Sequence, residues 1–210
     1  MYTPPHFAEE SKKALHRLIH EHSFGILVTG GDEGLQATHL PFLLDDSEGP
    51  GVLRGHVARA NPQGKALATG EEALVIFRGP HAYVSPSTYV MPEAVPTWNY
   101  VAVHAYGRPR LIEEPEALLR LVTRLSARYE GGRAQPWSPA KVSAGFVSAK
   151  LRGIVGFELP VERIVGKKKL SQNLGREDRV AAAEALAASG DRESAAVAAL
   201  MRETLLPPRG

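Results

Sequence analysis

Residues 98–108, WNYVAVHAYGR, alternate with a period of two, which is the period of a strand and not of a helix. One face reads Asn99, Val101, Val103, Ala105 and Gly107, small and apolar enough for the interior of a small barrel. The other reads Trp98, Tyr100, Ala102, His104, Tyr106 and Arg108. Aromatic and polar groups mixed along one face suit an interface or a ligand wall better than a merely solvated surface.

The same reading finds further strands at 24–30, 35–44, 52–58, 73–77 and 151–160, with the one above running on to 112. The pair 35–44 and 52–58 flanks the turn-rich segment DDSEGPG and reads as a hairpin. Leu15, Leu18, Ile19 and His22 give an amphipathic opening helix. Pro115 opens a second with Leu118, Leu121, Val122 and Leu125 as its stripe, and Ser138-Pro139 caps a short one. Two alanine-rich helices, 177–188 and 192–203, close the chain, separated by Gly190-Asp191, a C-terminal stop followed by a new cap. Helices gathered at the ends and in one middle insertion argue against an alternating parallel sheet. The expected fold is mainly β with helices (α+β), a six-stranded antiparallel barrel with N-terminal, middle and C-terminal helices. The expected domains are a barrel over 1–165 and a basic loop with a helical extension, 166–210, packed on it.

Several classes are excluded. A chain of 210 residues with 43% hydrophobic residues can bury a full core, and zero cysteines rule out disulfides and thiolate metal sites. The longest alanine-rich run is broken by Glu184 and too short to span a membrane, and MYTPPHFAEESKK lacks the regions of a secretory signal. A cytoplasmic protein is expected. The net charge of +2 provides no dominant field for nucleic acid. His39, His56, His81 and His104 form no HxH or HExxH spacing and have no matching carboxylate, so no metal site is expected. No P-loop, nucleophile elbow or GxGxxG is present.

Splitting the hairpin into faces leaves Leu40, Phe42 and Leu44 on one side and His39 on the other, with Arg54 and His56 opposite Leu53 and Val57. A turn centred near 47–48 would set His39 across from His56. In the next corner, HVARANPQGK, Asn61 and Pro62 read as the cap and first position of a short helix. Helix-start amides and the Arg59 guanidinium there make a natural phosphate cradle. RGPHAYVSPSTY and VPTWNY read as rigid aromatic rims. GKKKLSQN, the one basic run, reads as solvated surface or as an anion contact by Lys168 or Lys169.

Taken together, MYTPPHF, THLPFLL, GHVARANPQ, GPHAYVSPSTY, VPTWNYVAVHAYG and GKKKLSQN resemble the PaiB family of FMN-binding negative transcriptional regulators, in the same order from Met1 to about Arg179. Thr88 stands where that family more often has an aromatic. The resemblance implies a split β-barrel like that of pyridoxamine-phosphate oxidase, a homodimer with FMN at the subunit interface. Carried onto this chain, the isoalloxazine would lie along Thr38, His39, Leu40 and Pro41 and along His56 and Val57. The phosphate would sit near Arg59, Asn61 and Lys65. The second subunit would supply Trp98, Asn99 and Tyr100, and the Lys168–Gln172 loop. The implied function is a flavin-binding repressor, acting on DNA directly or through a partner; a direct contact would use a basic dimer surface including Lys167–Lys169 and the arginine-rich C-terminal half. The alternative is an FMN-dependent oxidoreductase acting on a small molecule, with His39, His56 or Tyr100 as proton donor. A third option is haem or another flat ring in the same groove.

Overall fold

The computed structural model describes residues 1–31, 34–47 and 49–206. Among them are nine strands and six α-helices: β1 (Ala8–Glu9), α1 (Lys12–Glu21), β2 (Phe24–Thr29), β3 (Gln36–Pro41), β4 (Leu43–Asp45), β5 (Val52–Ala58), α2 (Gln63–Thr69), β6 (Ala73–Val84), β7 (Thr97–Gly107), β8 (Arg110–Ile112), α3 (Pro115–Glu130), α4 (Ala144–Leu151), β9 (Ile154–Lys169), α5 (Arg176–Ala188) and α6 (Arg192–Glu203). The strands are hydrogen-bonded in the order β3-β2-β6-β7-β9-β5-β4, with β1 and β8 also on β9. Every ladder with a recorded register is antiparallel. The class is the expected split barrel, with nine strands in place of six. None of the described helices is long and apolar enough to cross a membrane.

The chain folds as two compact units. One comprises Met1–Leu15, Arg78–Val103 and Val165–Gly210; the other comprises His16–Phe77 and His104–Ile164. In the second unit, Phe42 is fully buried, with its ring edge-on to Phe77 at 5.5 Å and to Phe157 at 6.1 Å. Glycines make room for these rings. A Cβ on Gly25 would lie 2.9 Å from Phe77, and one on Gly55 would lie 3.1 Å from Phe157 and 2.8 Å from Leu40. Beside them, Leu43 packs with the α3 stripe Leu118, Leu121 and Leu125, as the helical spacing predicts. In the first unit, α5 and α6 bury Ala182, Ala183, Val197, Ala198 and Met201, while Asp191 caps α6 by accepting from the Ser194 amide at 2.8 Å.

Four expectations are corrected. Phe42 divides the first hairpin arm. Residues 36–41 pair with β2, and only 43–45 pair with β5, Leu43 against Arg54. His39 therefore lies across from Ile26 and His56 across from Gly156, so they are no cross-strand pair; the turn's Glu48 lies outside the described residues. The strand read as 98–112 stops at Gly107 and resumes at Arg110, because Pro109 has no N–H to give a ladder. Ser138 makes no capping bond to the turn at 139–141; Ser143 caps α4, accepting from the Phe146 amide at 3.3 Å. Finally, β6 and β9 run on through 78–84 and 161–169, so Lys167–Lys169 form the end of a strand and not a loop. Charge suggested solvent there, but lysine stems pack well against apolar surface.

Replacing Phe42 with Ala should destabilise the protein by about 3–5 kcal/mol, since a closed aromatic site collapses poorly. Phe24→Ala, at a ring 65% exposed, is the control and should change stability little. Urea midpoints of the two variants check this; similar losses would contradict the packing role of Phe42.

Candidate functional site

The corner after β5 is built from the backbone outward. Asn61 accepts from the Gln63 amide through Oδ1 at 2.9 Å and donates to Thr38 Oγ1 through Nδ2 at 3.0 Å. It caps the turn, as expected, and also ties the turn to β3. Gln63 is fully buried, and its Nε2 donates within reach of the Leu27 carbonyl, Thr29 Oγ1 and the Gln36 carbonyl at 3.1–3.2 Å. This anchor, missed in the sequence because a glutamine after Asn-Pro reads as surface, fixes α2 on β2 and β3. With the Gln63 amide already taken by Asn61, the expected cradle of helix-start amides is not what the corner offers.

What it does offer is cationic. Arg59 donates through Nε to the Arg152 carbonyl at 2.7 Å and through Nη2 to the Ile154 carbonyl at 2.9 Å, while its own amide donates to the Gly153 carbonyl at 2.8 Å. Two of the five guanidinium N–H groups hold it in place and three remain for a ligand. Arg59 also borders a cleft of about 1030 Å³ whose walls include Leu111, Ile112, Leu119, Val147 and Ile154. Lys65 is exposed on α2. His56 is half-buried, and its Nδ1 is buried with no partner. Burial pushes the His56 imidazole below its ordinary value, keeping it neutral near pH 7. His39 is exposed, its ring 6.3 Å from that of Phe24. Leu40 and Val57 point into the core, Pro41 is half-buried, and these three can meet a ligand chiefly through backbone.

Trp98, Asn99 and Tyr100 belong to the other unit. Trp98 is 53% exposed, stacked on His81 at 5.9 Å and edge-on to Tyr83 at 6.0 Å. Glu193 Oε2 accepts from the His81 amide at 3.2 Å and lies 3.0 Å from its Nδ1. Asn99, by contrast, is fully buried. Its Nδ2 donates to Ser171 Oγ at 2.9 Å and lies 3.4 Å from the Met201 sulfur, so its side chain is spent inside its own unit. Tyr100 is half-buried, 5.3 Å below the Lys167 ammonium. The basic run is not a free surface. Lys167 is only 7% exposed, Lys168 pairs with Glu9 at 2.5 Å, and Lys169 donates to Thr97 Oγ1 and, at 2.8 Å, to the Trp98 carbonyl.

Residues 1–163 match a family described as "Putative FMN-binding domain". The protease synthase and sporulation protein PAI 2 of Bacillus subtilis is 37% identical over 205 residues, covering 98% of each chain. An Aspergillus fumigatus protein of uncharacterised role is 32% identical, covering 97% of each. The fold is also similar to the flavocytochrome Anf3 of Azotobacter vinelandii (TM-score 0.62, 14% identity, 83% of this chain and 75% of that one). It is similar as well to the FAD and heme binding protein of Mycobacterium smegmatis (TM-score 0.61, 16% identity, 83% and 79%). This chain belongs to the PaiB family of FMN-binding proteins, and flavin is its cofactor.

His56 and His104 are both held neutral by burial. Their folded values lie below the unfolded 6.5, so as pH falls the unfolded chain takes up protons first. Stability should therefore be full above about pH 6.5 and decline as pH falls below it. His56→Gln should flatten that decline. Urea midpoints at several pH values between 5 and 7.5 test this, and an unchanged slope would contradict it.

Proposed function

We propose that this protein is a cytoplasmic, homodimeric, FMN-binding regulator of PaiB type, with flavin at the subunit interface. The phosphate lies with Arg59 and Lys65, with Asn61 setting the corner. The isoalloxazine runs along Thr38–Pro41 and His56–Val57. Trp98 and Tyr100 come from the second copy, with Asn99 buried behind them. The observation that carries this reading is the Arg59 guanidinium, pinned by two carbonyls and still holding three free N–H groups. A preoriented fork suits phosphate, because little side-chain freedom is lost on binding. Membership of the family and the likeness to PAI 2 support the regulatory role. That role is exercised through a partner, because Lys167–Lys169, the one basic run, is engaged within its own unit.

Arg59→Ala should weaken FMN binding about 10- to 100-fold, the effect of a charged hydrogen bond. Quenching of FMN fluorescence on titration, with a melting curve to confirm the fold, measures it. An unchanged dissociation constant in a folded variant would remove Arg59 from the phosphate site. For the regulatory part, gel shifts with promoter DNA across salt should show no binding by the protein alone; strongly salt-dependent binding would overturn regulation through a partner.

A further inference from the structure

Three of the motifs singled out in the sequence, SPSTY, VPTWNY and GKKKLSQN, meet within one unit around a cavity of about 580 Å³. Tyr89, Thr97, Asn99, Lys169 and Ser171 form its polar wall, and Phe7, Met91, Val95 and Leu174 its apolar one.

The charge there is unusual. Lys169 Nζ donates to Thr97 Oγ1 and the Trp98 carbonyl, leaving one of its three N–H groups. Lys167, two residues earlier and so on the same strand face, donates to the Tyr2 carbonyl at 3.0 Å. Lys168, on the opposite face, has its carboxylate in Glu9. Among the described residues neither Lys167 nor Lys169 has an ion pair with a carboxylate. Burying ammonium groups without a counter-charge is costly. The rings of Phe7, 6.0 Å from each, and of Tyr100 offset only part of that cost. Burial and the neighbouring Lys167 charge both push the Lys169 ammonium below its ordinary value, the mark of a cation short of negative charge.

The wall beside it is fixed. Ser171 has φ +63°, a left-handed conformation that a non-glycine residue adopts only when its surroundings impose it. The Asn99 amide holds its hydroxyl in both directions, at 2.9 and 3.3 Å. Burial, with the nearby Asp178 charge, raises the Tyr89 phenol above its ordinary value despite a hydrogen bond with Ser171, so it stays protonated. Glu93 also borders the cavity and would repel a second negative charge.

We infer that this cavity binds a small organic monocarboxylate, its carboxylate on Lys169 with the Tyr89 hydroxyl and its apolar body against Phe7 and Val95. One available ammonium matches one negative charge, and the apolar wall selects a carbon skeleton over an inorganic anion. The inference stands apart from the flavin reading.

Calorimetric titration of the full-length protein with acetate, hexanoate and phenylacetate, each against its neutral amide, tests it. At least one acid with an apolar body should bind 10-fold or more tightly than its amide. Lys169→Met should abolish that preference, and Lys169→Arg should retain part of it. Equal binding of acids and amides, no binding of any acid, or competition between the acid and added FMN would overturn the inference. Competition would assign the cavity to the flavin itself. Failure of the protein to bind FMN leaves the acid titration readable, so the two readings fail separately.

Discussion

The packing of Phe42 against Phe77 and Phe157 is the constraint from which much of the second unit follows. Because that ring must enter the core, the strand carrying it is divided, and the two halves go to different neighbours. The upstream half pairs with β2 and leaves β3 as the end of the hydrogen-bonded order, where His39 is exposed. The downstream half pairs with β5, whose ladder on β9 places His56 across from Gly156 and brings Arg59 beside Gly153. Glycine at 25 and 55 is the condition for this, since any side chain there would meet a ring.

The corner that follows combines rigidity with spare bonding capacity. The Asn61 side chain and Gln63 Nε2 are spent in fastening α2 to two strands. Arg59 is fastened too, but through only two of its five donors. A guanidinium so held can meet an anion with its geometry already set, which favours binding more than a mobile charge would. The other unit shows the same economy around Lys169, whose position is fixed by Thr97 and Trp98 while one N–H stays open.

Much of this was legible in the sequence, for physical reasons. The period-two pattern of β7 predicted its faces correctly: Asn99, Val101, Val103 and Ala105 are buried, and Trp98 and Tyr106 lie on the other side. The stripe of α3 and the caps Asn61 and Asp191 were equally plain, since spacing and capping are local signals. The pairing of His39 with His56 was misread, because register depends on where one aromatic ring finds its pocket. Gln63 and Lys167 were missed as buried groups. Their burial depends on partners distant in sequence, such as the Leu27 carbonyl for one and the Tyr2 carbonyl for the other. The carbonyls of Arg152 and Ile154 that hold Arg59 could not be read from residue type at all.

The central claim is that this chain holds FMN as a dimer. Native mass spectrometry of the full-length protein after addition of FMN tests it most directly. The account predicts two chains carrying two FMN molecules, with the dimer and the flavin lost together as the complex is activated. A single chain that takes up no FMN would contradict it.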